Sequence, residues 1–220
     1  MSNTSSRFAG CILSATVLAT TTSWAGDMAT YKITITNLTP GQPIAPALAT
    51  THHNGMSFFK TGTAPSSELA DLAEAGNSNP MAAKLLATPG FSDAQVTAGG
   101  IAPGGSIIMT INAYAGDRLS LGAMLGNTND GFIAIRNVSL PRSRQTAVYM
   151  ATGYDAGTET NDESCSTVPG PACGGAALSP EDAGEGVVVV HNGIHGIGGL
   201  SAAMYDWRNP VAQIVIQRAE

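Results

Sequence analysis

Four polar clusters in the sequence contain residue types that could bind a metal ion or take part in catalysis. They are Gly126–Gly131, Tyr154–Glu163, His191–Gly199 and Tyr205–Pro210. The first two combine acidic and amide side chains with glycines, and Ca²⁺ prefers such hard oxygen donors on irregular backbone. The same residue types also form ordinary turns, and neither cluster has the spacing of a helix–loop–helix calcium loop. Composition alone therefore leaves a calcium site and simple turns as alternatives.

The strongest candidate ligands are Asp130 in the first cluster and Asp155 in the second. Each stands among further oxygen-bearing side chains that could complete a coordination shell. These neighbours are Asn127, Asn129, Glu159 and Asp162.

His191 and His195 are four residues apart, a spacing that places two metal ligands on one face of a helix. The glycines around them disfavour a stable helix, and a zinc site needs further ligands. We expect structural histidines in glycine turns. The alternative is a hydrolase, which requires His191 or His195 in a cleft within hydrogen-bond reach of a carboxylate. Because there is no Gly-x-Ser-x-Gly elbow, we predict no catalytic residues and no enzymatic activity.

The fourth cluster contains Trp207, the single tryptophan after residue 25. A carbohydrate-binding sandwich is a further alternative, and it would present a row of exposed aromatic side chains. Aromatic residues make up only 5% of the chain, which does not favour such a row. We expect Trp207 to lie in the core.

The first 25 residues have the composition of a cleavable export signal. Arg7 precedes an apolar stretch from Phe8 to Ala19, and Ser23-Trp24-Ala25 places small residues where a signal peptidase cleaves. We place the cut after Ala25, so that residues 26–220 form one domain that is secreted or periplasmic. The apolar stretch is too short to span a bilayer, and no later stretch reaches spanning length.

Removal of residues 1–25 changes both the charge and the cysteine count. Nine basic and 16 acidic residues remain, a net charge of −7. Nucleic-acid binding is not expected, because it requires clustered Lys and Arg to neutralise phosphates. Cys11 leaves with the signal, and the two cysteines that remain in an oxidising compartment predict a disulfide between Cys165 and Cys173.

Short elements must position these clusters. Alternating apolar and hydroxyl residues from Tyr31 to Leu38 predict a half-buried strand, and short helices are predicted at 66–75 and 80–87. Further strands are predicted at 94–98, 106–113, 118–125, 131–136, 146–151, 186–191 and 212–218. Short strands separated by Gly and Pro turns predict an all-β fold, an antiparallel two-sheet sandwich. The 152–185 connection has few apolar residues, and loops of that length are often functional.

Several of these segments resemble the spondin domain in its bacterial form. The opening strand and its Pro-rich continuation also look like the start of that domain, and the resemblance extends over about residues 30–218. It implies a β-sandwich similar to C2 domains with a calcium ion at one end and, as in animal members, a role in cell adhesion. The segments that carry the resemblance are Asn127–Phe132, Tyr154–Glu159, Val168–Pro171 and Tyr205–Ala212.

Carried over to this sequence, the resemblance implies calcium-binding aspartates at Asp130 and Asp155. The third acidic ligand of animal members falls on a stretch without an acid, so Asn112 or Thr110 would have to serve. Fewer charged ligands weaken calcium binding. Two nearby acids could compensate: Glu159 and Asp162.

The thrombospondin-type repeats that accompany the domain in animal proteins are absent from the sequence. We therefore expect any partner, an unknown extracellular protein or glycan, to bind the sandwich itself. The leading hypothesis is a non-enzymatic binding module with a structural calcium ion.

Overall fold

The computed structural model describes Met1, residues 27–180, Asp182 and residues 184–219. The predicted export signal, apart from Met1, and its cleavage site after Ala25 lie outside the described residues. Among the helices that the structure describes, none is both long enough and apolar enough to cross a membrane.

The described residues form nine strands and three short helices. The strands are β1 Ala29–Asn37, β2 Leu48–His52, β3 Phe91–Val96, β4 Ser106–Ala113, β5 Arg118–Met124, β6 Gly131–Ser139, β7 Thr146–Asp155, β8 Val189–Val190 and β9 Ala212–Arg218. The helices are α1 Ser67–Glu74, α2 Asn79–Leu86 and α3 Ala202–Tyr205.

All strand pairs are antiparallel, and the strands follow the order β3-β2-β5-β6-β7-β9-β1-β4, with β8 paired to the end of β7. Strand β7 takes part in both halves of this sheet. Its residues 146–151 pair with β9, and its residues 152–155 pair with β6. The prediction of an all-β fold is confirmed. Two separate sheets are not confirmed, because β7 joins all the strands into one curved sheet.

The edge strands β3 and β4 meet through side chains. The Asp93 carboxylate of β3 accepts a hydrogen bond from the backbone N–H of Asn112 in β4 (2.8 Å). The Thr51 hydroxyl of β2 donates to the Asn112 carbonyl oxygen (2.6 Å). These two bonds bring the edges together, and the sheet is nearly closed.

Hydrophobic cores lie on both faces of the central strands. In β6, Ile133 and Ile135 point into the larger core, which Trp207 also joins, while Phe132 and Ala134 point into the smaller one. Helix α1 covers the smaller core with its buried Leu69 and Leu72. Alternate residues of β6 are buried on opposite faces because successive side chains of a strand point in opposite directions.

The smaller core is closed by the two predicted helices. The Ser66 hydroxyl accepts a hydrogen bond from the backbone N–H of Leu69 (3.3 Å) and caps α1, as a serine at that position is expected to do. Proline at the start of α2 fits the first helical turn. Both helices begin and end within one residue of the predicted positions.

Candidate metal centre

The residue before β6 and the last residue of β7 place two carboxylates side by side. Gly131 pairs with Asp155 across these strands, and the backbone N–H of Ala156 donates to the Asp130 carbonyl oxygen (3.2 Å). The turn before β6 is held by Thr128, whose hydroxyl accepts from the backbone N–H of Gly131 (2.8 Å). Strand register and turn geometry therefore bring Asp130 and Asp155 to the same end of the sheet.

Glu185 completes a cluster of three carboxylates with this pair. One oxygen from each of Asp130, Asp155 and Glu185 lies within 4.8 Å of the other two. Calcium–oxygen distances are about 2.3–2.6 Å, so two oxygens on one ion are at most about 5 Å apart. Asp130 and Asp155 are buried, whereas Glu185 is exposed. The spacing fits a single calcium ion reached from the side of Glu185.

The two oxygens of Asp130 have different surroundings. Oδ2 accepts hydrogen bonds from the backbone N–H groups of Thr158 (2.7 Å) and Glu159 (3.1 Å). Oδ1 is buried and has no hydrogen-bond partner among the described residues. A buried polar atom left without a partner costs about 1–3 kcal/mol. A cation beside Oδ1 would remove that cost.

The other two carboxylates share one amide. The Asn161 side chain donates to Asp155 (2.5 Å) and to Glu185 (3.1 Å). The backbone N–H of Gly157 donates to the other oxygen of Asp155 (2.7 Å). These bonds hold Asp155 and Glu185 in place without neutralising their charge.

The electrostatics of the cluster disfavour three bare carboxylates. Burial, with a contribution from the Asp155 charge, raises the pKa of Asp130 to about 7. Burial and the Glu185 charge raise the pKa of Asp155 to about 6. No described lysine or arginine forms an ion pair with these residues. A divalent cation would supply the missing positive charge and lower both pKa values.

Glu159, a predicted ligand, does not belong to this cluster. Its backbone N–H binds Asp130, but its buried side chain lies near Glu74 and Ser179. Burial first, and the charge of Glu74 second, raise the pKa of Glu159 to about 7. The Ser179 hydroxyl opposes part of this rise in the Glu159 pKa. Even so, neither Glu159 carboxylate oxygen has a hydrogen-bond partner of normal geometry among the described residues.

Asn112, the other predicted ligand, lies at the far end of the sheet. It pairs with Thr30 at the start of β1, and its side-chain oxygen accepts from the Thr30 hydroxyl (2.8 Å). The metal cluster lies towards Asn37 at the other end of β1, about 23 Å along the strand at 3.3 Å per residue. Gln42 connects the two regions, because it is hydrogen-bonded to Asn37 and to Asn127, which lies in the turn that carries Asp130. The structure therefore does not bring Asn112 together with the two aspartates.

Asp162, named as a compensating ligand, organises its own loop. Its carboxylate accepts hydrogen bonds from the Asn129 side chain (3.1 Å) and the backbone N–H of Ser164 (2.8 Å). Asn129 in turn accepts from the backbone N–H of Glu163 (3.2 Å). These residues connect the turn before β6 to the connection that follows β7.

Sequence reasoning missed Glu185. It lies 30 residues beyond Asp155 along the chain, between Gly184 and Gly186 and just before the predicted 186–191 strand. An acid between glycines at a strand end is the one signal that could have marked it. In the structure this strand is shortened to β8, which pairs with the end of β7 and brings Glu185 to the cluster.

The histidines occupy two different environments. His191 is buried against Trp207, with ring centres 4.9 Å apart, and its Nδ1 accepts from the backbone N–H of Gly193 (2.9 Å). Burial lowers the His191 pKa to about 4. The His195 side chain is exposed. Among the described residues neither imidazole is hydrogen-bonded to a carboxylate, so this geometry does not favour the hydrolase alternative.

The carboxylate of Glu163 is committed to backbone groups beside the histidines. It accepts hydrogen bonds from the N–H groups of His195 (2.6 Å), Gly196 (2.8 Å) and Ile197 (3.0 Å).

Trp207 is buried, as predicted, which removes the aromatic side chain that a carbohydrate-binding face would have used.

A disulfide anchors the connection that follows β7. Cys165 and Cys173 are joined, with Cα atoms 4.8 Å apart. Inside this loop Val168 is fully buried, and the backbone N–H of Ala172 donates to the Asn127 side chain (3.0 Å). The disulfide loop is therefore packed directly on the turn that carries Asp130.

A cavity of about 260 Å³ opens beside the carboxylate cluster. Its lining includes Asp155, Glu185, His191 and His195. The cavity gives a route by which an ion reaches the cluster from solvent.

The sequence of this chain matches no protein-family model and no curated protein. The function must therefore be inferred from the residues and their geometry.

Proposed function

We propose that this protein is an exported, non-enzymatic binding module whose recognition surface is ordered by a calcium ion on Asp130, Asp155 and Glu185. The proposal depends chiefly on one observation. Oδ1 of Asp130 is buried without a hydrogen-bond partner among the described residues, and Asp130 belongs to a group of three residues that each place one carboxylate oxygen within 4.8 Å of the others.

The donor set fits calcium better than the other common metals. Calcium takes six to eight oxygen ligands from carboxylates, carbonyls and water in flexible geometry. Three carboxylates, some of them bidentate, supply about half of that shell, and water or a partner's oxygen would complete it. Zinc sites use nitrogen or sulfur ligands, and the residues of this cluster are all carboxylates.

The ion would act through the connection between β7 and β8. Asp130 holds the start of that connection through Thr158 and Glu159, and Glu185 belongs to its far end. An ion shared by the cluster therefore ties both ends of the connection to the sheet. The disulfide between Cys165 and Cys173 restrains its middle.

The ordered connection is the surface that we assign to a partner. The partner is an extracellular protein or a glycan, in keeping with the adhesion role implied by the resemblance to the spondin domain. The export signal at residues 1–25 and the disulfide support an oxidising, extracytoplasmic location. A C2-like sandwich, with β7 passing between its two halves, is the architecture we infer from the same resemblance.

Calcium titration tests this proposal directly. Isothermal titration of calcium-free protein should show one binding event for wild type and for Asp71→Asn, a control on α1 outside the cluster. Asp155→Asn should bind at least tenfold more weakly, because it removes a charged ligand. Magnesium should bind more weakly than calcium in every variant. Absence of binding to the wild type at millimolar calcium would refute the metal site.

A further inference from the structure

A second cavity lies away from the carboxylate cluster. It has a volume of about 720 Å³, and its walls are the 55–60 segment, the start of α1 and the end of β6. None of the residues around it belongs to the carboxylate cluster or to the cavity beside that cluster. Its size falls in the range of about 300–1,000 Å³ that is usual for small-molecule sites.

Two basic side chains and no acidic one line this cavity. They are Lys60 and Arg136, in a chain where 16 acidic residues outnumber ten basic ones. Neither forms an ion pair with a described carboxylate. The cavity is therefore positively charged within a protein of net negative charge.

The rest of the wall combines polar and apolar side chains. Two phenylalanines form part of it, and both are buried. Aliphatic side chains from the 55–60 segment, from α1 and from the segment before β8 complete the apolar part. The apolar side chains named here are Met56, Phe58, Phe59, Leu69 and Val188.

The exposed Arg136 lies over the Phe59 ring, and most of its donors have no protein partner among the described residues. Its guanidinium carbon lies 5.3 Å from the centre of the Phe59 ring, a cation–π distance. One N–H group makes a long contact of 3.5 Å with the Phe59 carbonyl oxygen. No other described residue accepts a hydrogen bond from this guanidinium. The planar fork of an arginine is suited to bidentate binding of carboxylate or sulfate oxygens.

The neighbouring Asn137 connects two of the segments that line the cavity. Its φ of 53° lies in the left-handed region that non-glycine residues rarely adopt. Its side chain accepts from the backbone N–H of Gly55 (3.1 Å) and donates to Asn54 (3.1 Å). The strained residue therefore ties the end of β6 to the 54–55 segment, and such strain is concentrated at functional sites.

We propose that this cavity binds a small amphiphilic anion, whose carboxylate, sulfate or sulfonate group pairs with Arg136 and Lys60 while its apolar body contacts Phe58, Phe59 and Leu69. Two cations and two aromatic side chains in the lining of one cavity match the two parts of such a ligand. The site is independent of the calcium ion proposed above.

Titration with 1-anilinonaphthalene-8-sulfonate tests the site, because this probe combines a sulfonate with an apolar ring system. With calcium present, Arg136→Gln and Lys60→Gln should each weaken binding about tenfold. Lys32→Gln, on the exposed face of β1, is the charge-matched control and should bind like wild type. Equal affinity in wild type and Arg136→Gln, or an equal loss in Lys32→Gln, would overturn the proposal.

Competition experiments distinguish binding through an anionic head group from binding through an apolar chain alone. Octanoate should displace the probe, whereas octanol and octylamine should not. Amide chemical shifts should change at 55–60 and 136–137 on addition of octanoate. If Arg136→Gln lowers the melting temperature, Arg136→Lys keeps the charge over Phe59, and its affinity should lie between those of wild type and Arg136→Gln. Displacement by octanol as strong as by octanoate, or shifts confined to other regions, would contradict the inference.

Discussion

Asp130 and Asp155 lie side by side at the end of β6 and β7, with oxygens within 4.8 Å of one another and with both residues buried. Two buried carboxylates at this distance cannot both be charged at low cost unless a cation or a proton lies between them. The repulsion can therefore be relieved by a proton or by a calcium ion. A rise in pH removes the proton, whereas it favours binding of the calcium ion. The first two predictions separate them.

Replacing Asp130 with asparagine should stabilise the calcium-free protein. The amide keeps an acceptor for the N–H groups of Thr158 and Glu159, and it removes a charge that burial and Asp155 destabilise. We expect the free energy of unfolding at pH 7.5 to rise by roughly 1–3 kcal/mol in chelator. Urea unfolding measures this change, and calcium should no longer raise the midpoint. A lower midpoint in chelator than that of Asp71→Asn would contradict the account.

In chelator the wild-type protein should lose stability as pH rises from about 4 to about 7. The folded pKa values of Asp130 and Asp155 are raised to about 7 and about 6. Between its unfolded and folded pKa each residue binds more protons when folded, so the free energy of unfolding falls with rising pH. Thermal melts across this range measure the slope.

His191 acts in the opposite direction and must be separated from this slope. Its folded pKa is lowered to about 4, so its contribution to stability is lost as pH falls below its unfolded value. Asp130→Asn keeps the histidine and should show a shallower decline than wild type. With calcium the wild-type trend should reverse, because protons then compete with the ion. Parallel pH profiles in wild type and Asp130→Asn would argue against the raised Asp130 pKa.

Glu185, and not Asn112, should supply the third ligand. Glu185→Gln removes one of three charges near the ion and should weaken calcium binding about tenfold, since ligand charge tunes affinity. Asn112→Ala should leave calcium affinity unchanged, because Asn112 pairs with Thr30 at the far end of β1. Isothermal titration compares the two variants. A larger loss of calcium affinity in Asn112→Ala than in Glu185→Gln would identify Asn112 as the third ligand.

Asp93→Ala should loosen the contact between the two edge strands. The Asn112 backbone N–H loses its acceptor, at a cost of about 1–3 kcal/mol if it stays buried. The Asn112 amide should then exchange faster with deuterium, as measured by NMR. Gln95→Ala is the control, because Gln95 binds the other oxygen of Asp93 (2.8 Å) and does not contact Asn112 through that bond. Unchanged exchange at Asn112 in Asp93→Ala would show that the edges are held by other contacts.

Local patterns predicted the elements better than their arrangement. The alternation in 31–38 and the capped helix from Ser66 were both informative, because each depends on neighbouring residues. Strand β2 was not predicted. All five of its residues are buried, and its two apolar residues precede three polar ones (Thr50, Thr51 and His52), so the segment shows no alternation; it also follows a Pro-rich stretch.

The same limit applies to the metal centre. Asp130 and Asp155 could be proposed from the polar clusters that contain them and from the resemblance to the spondin domain. Glu185 and the distance of Asn112 depend on strand register, which pairs β8 with β7 and Thr30 with Asn112. Register is set by long-range packing, and short sequence motifs do not contain that information.

The contact of Asp93 and Thr51 with Asn112 also bears on how copies of this protein meet one another. Exposed edge strands are templates for strand addition, and such addition leads to aggregation. Here the two edges of the sheet face each other, and a carboxylate of one occupies a backbone donor of the other. A neighbouring molecule would have to displace that carboxylate before it could add a strand. Self-association through the sheet is therefore disfavoured, and loops are left as the surfaces by which this protein can meet others.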